Sequence, residues 1–307
     1  MPTKILALGE VLWDVFPDGP RFGGAPANFA CSAASLGRWD VRVAIASAIG
    51  DDDLGRAARQ FLEARGVNTD CVTTSAKPTG TVAVTLDAAG VASYRFADNP
   101  AWGDLAWTDA LAEQVAAADV IYFGTLAQSQ EPARTTIRRA LAAAKPGCLR
   151  VLDLNLRAPF WDAATIRESV RFANVLKLND DELPLFQAAH DHPTIPPESV
   201  TAIDYLFNQF VLAEGTTCVA MTHGAAGSCI IDYDGIHDSL TGTPLTVVDT
   251  VGAGDAFTAA LALGLAHEWP LERTHRFAAA AGAFACTVAG GSPVFPDHLT
   301  LAAFDRP

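Results

Sequence analysis

Hydrophobic and polar positions divide the chain into two alternating kinds of segment. Short apolar runs read as strands at Lys4–Leu8, Val41–Ile49, Val120–Phe123, Arg150–Leu154, Val175–Lys177, Cys218–Thr222 and Ser228–Asp232. Between several of them lie alanine-rich stretches that read as helices: Ala27–Leu36, Leu54–Arg65, Pro132–Ala144 and Thr165–Phe172. Strand–helix–strand repetition predicts an α/β fold of three layers, with a mostly parallel central sheet covered by helices on both faces. In such sheets ligands bind beyond the carboxyl ends of the strands.

One segment departs from the alternation. Thr79–Leu86 and Val91–Phe96 are short β-branched or aromatic runs, joined at Asp87–Gly90 by what reads as a hairpin turn. No helix intervenes. The pattern predicts an antiparallel flap on the main sheet, with further strand residues near Leu12–Phe16. The lid strands are expected from about 11–22 and 79–97. Such a flap suits a substrate lid, and it equally suits an ordinary edge hairpin. His190–Ser199 carries three prolines and reads as a surface loop. No linker or repeat divides the rest, so a single domain over 1–307 is expected.

Composition narrows the functional classes. Half of the 307 residues are hydrophobic, which supports a sizeable core. No apolar run reaches the roughly 18 residues of a membrane span. The first residues enter a strand without a signal-peptide pattern, so a cytoplasmic protein is expected. The net charge is −14, and the only lysines are Lys4, Lys77, Lys145 and Lys177. Nucleic acid and anionic membrane are therefore disfavoured as partners. The six cysteines are scattered without a CxxC pair and read as reduced, buried apolar side chains.

Two glycine-rich turns carry the chemistry. In Asp249-Thr-Val-Gly-Ala-Gly-Asp255-Ala-Phe257 a strand-like run, Leu245–Val248, precedes the glycines and a helical run, Ala256–His267, follows them. The first N–H groups of a helix and its dipole form an anion site. Asp255 at its mouth is either a helix N-cap or a base that takes a proton from a hydroxyl. In Phe22-Gly-Gly-Ala-Pro-Ala-Asn28-Phe-Ala30 the proline suits a first helical turn. Asn28 is either a cap or an amide that both donates to and accepts from sugar hydroxyls.

The two turns, one near each end, resemble the paired signatures of the ribokinase-like (pfkB-type) carbohydrate kinases. Gly23-Gly24, three residues and Asn28 match the first. Asp249 to Asp255 match every fixed position of the second, and the resemblance spans essentially the whole chain. Lys177-Leu-Asn179-Asp-Asp-Glu182 resembles the family's Asn-x-x-Glu element, and Thr222-His-Gly224-Ala-Ala-Gly227 its nucleotide loop. Gly9-Glu-Val-Leu-Trp-Asp14 and Asp153-Leu-Asn-Leu-Arg157 resemble its fructokinase-like members.

The resemblance implies an ATP-dependent sugar kinase that phosphorylates a primary hydroxyl, fructose being favoured. Asp255 would be the base, and the amides of Gly252, Ala253 and Gly254 would hold the phosphoryl group. Asp14, Gly24, Asn28, Arg157 and Asp255 would meet the sugar. Asn179, Glu182, Thr222, Gly224, Gly227 and Gly254 would meet the nucleotide. Glu182 would act on Mg²⁺ through water, and Asp249 and Val251 would offer carbonyls to a monovalent cation such as K⁺. Ribose-type members often carry Asn where this chain has Leu12, which argues against ribose. A 2-keto-3-deoxygluconate-type kinase is the alternative within the family, nucleoside kinase is a weaker one, and a non-catalytic sugar or nucleotide sensor is the alternative outside it. A surface salt bridge competes for Arg157, and helix packing for Trp102 and Trp107. A homodimer through the lid edge is expected. No Gly-Lys dipeptide exists, which excludes a P-loop, and the G-x-G-x-x-G, G-x-S-x-G and H-E-x-x-H patterns are missing from their required contexts.

Overall fold

The computed structural model describes residues 1–86, 92–192, 196, 201–206 and 217–304. The first part of the chain forms β1 (Thr3–Leu8), β2 (Leu12–Phe16), β3 (Gly19–Gly23), α1 (Ala25–Gly37), β4 (Val41–Gly50), α2 (Asp53–Ala64), β5 (Val67–Ser75), β6 (Gly80–Leu86) and β7 (Ala92–Phe96). The middle forms α3 (Asp109–Ala117), β8 (Val120–Phe123), α4 (Ala133–Ala142), β9 (Leu149–Asp153), α5 (Ala163–Phe172), β10 (Val175–Asn179), α6 (Glu182–Ala189) and α7 (Thr201–Leu206). The last part forms β11 (Cys218–Thr222), β12 (Gly227–Asp232), β13 (His237–Thr241), α8 (Ala253–Ala266), α9 (Leu271–Ala285) and α10 (Leu301–Phe304).

Nine strands form the main sheet in the order β13-β12-β11-β10-β9-β8-β1-β4-β5. From β5 through β11 every pairing is parallel, and β12 and β13 close one edge antiparallel. The alternation of strand side chains divides the core between the faces. Ile5 and Ala7 of β1 join Val120 and Tyr122 of β8 under α1, α8 and α9. Leu6 and Leu8 join Ile121 and Phe123 under α3, α4 and α6. Strands buried on both faces have no polar side to show, which is why they read as continuous apolar runs.

The helices follow from local rules. In α2 the Asp52 carboxylate caps the start by accepting from Gly55 N at 2.7 Å, and Gly55, Ala58 and Leu62 form its buried stripe. Gly66, at φ 77, turns the chain at its end into β5.

The flap takes in the Leu12–Phe16 strand as expected but differs in how it is attached. It forms a separate sheet of order β3-β2-β6-β7, not an extension of the main one, and β2 pairs with β6 in parallel. Gly9, at φ 143, turns the chain out of the main sheet after β1. The expected turn at Asp87–Gly90 and residue Val91 lie outside the described residues, as does most of the 193–200 stretch. Leu245–Val248 is not a strand: Val247 and Val248 are exposed, and Val248 N donates to Cys286 O at 2.8 Å. The pattern does not mark the strands β5 and β13 or the helices α3, α6, α7, α9 and α10, while β3 falls within the expected lid range. β13 alternates exposed and half-buried positions, so its polar composition hid it. All six cysteines are free and five are buried.

Gly80 lies flat against the buried ring of Trp102, where an added Cβ would stand 1.9 Å from Cζ3. Trp102 is thus core, and Trp107 is stacked under the Arg139 guanidinium at 4.2 Å; the helix-packing reading holds for both. Gly80→Ala is expected to lower stability by about 1–3 kcal/mol through overpacking. An unchanged urea midpoint would show that the ring can move aside.

Candidate active site

The carboxyl ends of β9, β10 and β11 converge with the start of α8. Asp153 ends β9, Asn179 ends β10 and Thr222 ends β11, and the registers Lys177↔Asp153 and Asn179↔Thr222 place them side by side. Lys177 is the polar centre of this cluster. Its Nζ stands 3.2 Å from Asp153 Oδ1, and both side chains are buried. Thr258 of α8 donates to the other Asp153 oxygen at 2.9 Å. Burial pulls the Lys177 ammonium down, but Asp153, Glu182 and Asp255 outweigh it and hold the pKa above the ordinary value.

α8 begins earlier than its apolar pattern suggested. Its N-cap is Gly252, at φ 76, and Ala253, Gly254 and Asp255 form the first turn. A Cβ on Gly252 would stand 2.2 Å from Gly291 O, so only glycine fits this approach. Asp255 therefore does not cap the helix. Its carboxylate is buried, with Oδ2 accepting from Asn28 Nδ2 at 2.9 Å and Oδ1 from Asn155 Nδ2 at 3.4 Å. Asn28 is no cap either. It lies inside α1, whose N-cap is Gly24 at φ 103, and it accepts from Ser292 Oγ at 2.9 Å.

The N–H of Ala253 donates to Thr250 O at 3.3 Å. Those of Gly252, Gly254 and Asp255 have no partner among the described residues. A Cβ on Gly254 would stand 3.0 Å from Lys177 Nζ, so the ammonium lies against this turn. Free amides, a helix N-terminus and a buried cation together make an anion cradle beside a carboxylate. Burial, then the Asp153 charge, push Asp255 up from 3.8 to about 7, while the Asn28 hydrogen bond, Lys177 and Arg157 pull it back.

The other expected residues fall around this centre. Asp14 of β2 lies over Gly23, where a Cβ would meet its Oδ2 at 2.6 Å. Burial raises Asp14 to about 6, with Arg157 opposing and Asp249 adding, so the small sheet carries it into the same electrostatic field. Arg157 is exposed and forms no ion pair among the described residues, so the surface salt bridge is absent there. It acts at longer range on Asp14, Glu10 and Asp255. Asp249 accepts from Val251 N and Gly290 N, both at 3.0 Å, and braces the glycine turn.

Glu182 accepts from Leu156 N at 2.8 Å and Asn179 N at 2.9 Å, and Asn179 Oδ1 accepts from Glu182 N. Its pKa is raised by burial, with Lys177 opposing. Gly224 and Gly227 take φ 53 and 121 in the turn between β11 and β12, next to Thr222. His275 of α9 holds this hairpin from below, at 2.7 Å from both Ser228 Oγ and Asp238 Oδ2.

Glu10, Asp153, Asn155, Lys177 and Thr258 were missed as site residues. Lys177 and Asp153 did leave a signal: single opposite charges inside apolar strand runs are a buried pair in waiting. Glu10, buried beside Gly24, is raised by burial to about 7 and left no such signal.

The pattern of the pfkB family carbohydrate kinases matches residues 16–298. The chain belongs to that family. A fructokinase from Klebsiella pneumoniae is 32% identical, with 96% of this chain and 97% of that one covered. Fructokinase-2 of Oryza sativa subsp. japonica is 29% identical over 96% of this chain and 91% of its own. Among solved structures, an ATP-bound fructokinase from Xylella fastidiosa shares the fold at TM-score 0.82, with 22% identity over 99% of this chain and 97% of that one. An uncharacterized sugar kinase from Pyrococcus horikoshii in complex with ATP gives TM-score 0.75 and 26% identity, with 94% of each covered. This family member is a phosphotransferase acting on a sugar hydroxyl. No described helix is long and apolar enough to cross a membrane.

The raised Asp255 has a consequence for stability. Its proton is held more tightly in the folded chain than in the unfolded one. Its contribution is therefore full below the unfolded value near 4 and is lost as pH rises through about 7. Asp255→Asn is expected to be more stable than the parent at pH 8, with the gap shrinking toward pH 4. Urea midpoints of the two proteins that differ equally at both pH values would refute the raised pKa.

Proposed function

We propose that this chain transfers the γ-phosphoryl group of ATP to a primary hydroxyl of fructose, with Asp255 as general base. The observation that carries the reading is a carboxylate buried at the mouth of a helix N-terminus, poised near pH 7, with unpartnered amides beside it. The fructokinases among the relatives support fructose over other sugars.

In this reading Asp14, Asn28 and Arg157 hold the sugar, and Asp255 takes the proton as the hydroxyl oxygen attacks. The amides of Gly252 and Gly254 and the Lys177 ammonium stabilise the charge on the transferring group. Ala253 N–H adds to them if it leaves Thr250 O. Lys177 also keeps Asp153 and Glu182 from accumulating uncompensated charge. The Thr222–Gly227 turn and Asn179 receive the nucleotide, at the carboxyl ends of adjacent strands.

Magnesium, carried on the ATP phosphates, would neutralise them. Glu182 fits an outer role, since each oxygen keeps a lone pair after its main-chain bond and could accept from a metal-bound water. The carbonyls of Asp249 and Val251 accept no hydrogen bond among the described residues, which suits a monovalent cation beside the anion cradle.

The small sheet serves as the lid, and its outer strands β3 and β7 each keep one edge unpaired among the described residues. A homodimer through these edges belongs to the same reading; a monomeric mass in sedimentation equilibrium would exclude it.

A coupled ADP-release assay with Mg-ATP tests the function, run against fructose, ribose, tagatose, 2-keto-3-deoxygluconate and adenosine, with and without K⁺. Asp255→Asn is expected to lower kcat by about 10² to 10⁴-fold. Asp14→Ala is expected to raise the sugar KM with a smaller effect on kcat. Near-full turnover by Asp255→Asn would overturn the base, and an unchanged KM would remove Asp14 from the sugar site.

A further inference from the structure

A second cleft lies at the opposite end of the main sheet. It encloses about 750 Å³ at the amino ends of β1, β4 and β5, while the candidate site lies at the carboxyl ends. Its volume is in the range of small-molecule sites. Four cationic side chains line it, Lys4, Arg38, Arg42 and Arg65, and no acidic residue does. That is unexpected in a chain with 21 basic and 35 acidic residues. Lys4 and Arg42 are direct partners on β1 and β4, so both project on one side. Their cationic ends form no ion pair among the described residues, and Arg42 donates only to Val41 O. Asp119, next to Lys4, is occupied by Lys145 and by Lys4 N. At the rim stands Trp39, 85% exposed. Its ring stands beside the cations and offers a face on which an organic group can pack.

The cleft is wired to the base. Arg65 Nη1 donates to Ser292 O at 2.5 Å, Ser292 Oγ donates to Asn28 Oδ1 at 2.9 Å, and Asn28 Nδ2 donates to Asp255 Oδ2 at 2.9 Å. The segment that carries Ser292 also packs Gly291 against Gly252 and sends Gly290 N to Asp249. It then descends along α1, where Phe295 N donates to Ser35 Oγ, and reaches Arg38 through Phe295 O and Asp297. Two cations of the cleft therefore hold the strip of chain that braces the glycine turn and orients Asn28.

We propose that this cleft is an effector site for a phosphate-bearing metabolite, and that its occupancy is felt at Asp255 through Arg65, Ser292 and Asn28. The cations take the phosphate, Arg42 by paired N–H groups and Lys4 as a point charge. Trp39 covers the organic part. An anion that draws Arg65 or Arg38 toward the cleft loosens their hold on the 290–297 strip, so the Asn28 bond to Asp255 changes. The coupling, though not the binding, rests on Asp255 as the base.

The binding test is calorimetry on the whole protein with fructose and a non-hydrolysable ATP analogue saturating, so that the candidate site is filled. Inorganic phosphate, a hexose monophosphate and ADP are titrated in turn. Saturable binding is expected for at least one, weakened about tenfold by Arg42→Ala or Lys4→Ala and unaffected by Asp14→Ala. Greater loss for ADP in Trp39→Ala identifies a nucleotide; greater loss for the hexose phosphate identifies a sugar ester. The same ligand is expected to change kcat or the sugar KM by about fivefold or more in the parent, and not in Ser292→Ala. Binding of none of the three, or equal binding by the Arg42 and Lys4 variants, would overturn the site whether or not the chain turns over fructose. Binding without any change in parental turnover would overturn the effector role.

Discussion

The pairing of Lys177 with Asp153 inside the sheet is the constraint on which the candidate site depends. Four carboxylates, Glu10, Asp153, Glu182 and Asp255, are buried near the carboxyl ends of the strands. Lys177 is the one buried ammonium among them. Ionised carboxylates in such a place are strongly unfavourable without compensation. The solution divides the work. Asp153 receives Lys177 and the Thr258 hydroxyl, and Glu182 receives two main-chain N–H groups. Asp255 receives only two side-chain amides, one of them at 3.4 Å, and is pushed up to about 7 as Glu10 is, but it alone of the two stands in the first turn of α8. A base is produced by leaving one member of a compensated cluster under-compensated.

Glycine does for the backbone what Lys177 does for charge. Gly252 admits Gly291 at a distance no side chain would allow, Gly24 brings α1 against Glu10 O, and Gly227 brings β12 against Leu240 O. Each contact brings a main-chain segment close enough to serve as wall or donor. Because the donors are main-chain groups, a chain of net charge −14 can present a positive cradle without a basic surface.

Much of this was legible in the sequence, and the physical reason is specific to each part. The parallel sheet was legible because strands covered on both faces have no choice but to be apolar. Asp255 and its glycines were legible because the turn needs those residues at that spacing. Whether Asp255 capped the helix was not legible, since cap and base differ only by where the first helical turn begins. The small sheet was legible as a flap that takes in Leu12–Phe16, but not that β2 runs parallel to β6 in a sheet of its own, because a β-branched run does not say in which sense it pairs. β13 was hidden by its exposed face. Asn155 and Glu10 lay within quoted motifs, but only topology shows that their side chains converge on Asp255.

The 290–297 strip shows what such topology adds. It contributes one hydroxyl, several main-chain groups and glycines, and it carries no motif. Yet it touches the glycine turn at one end and the basic cleft at the other. The strip is anchored by Phe295, fully buried in the core under α1, with the Ser292 hydroxyl bonded to Asn28 on one side and Arg38 holding it on the other. In the proposed coupling it is this strip that would carry a displacement from one end of the sheet to the other. Polar contacts let alternative arrangements differ little in energy, because one hydrogen bond is exchanged for another. The side chain best placed to sense such a shift is Asn28. Its amide group spans the strip on one side and the base on the other, so a small rotation changes both bonds at once.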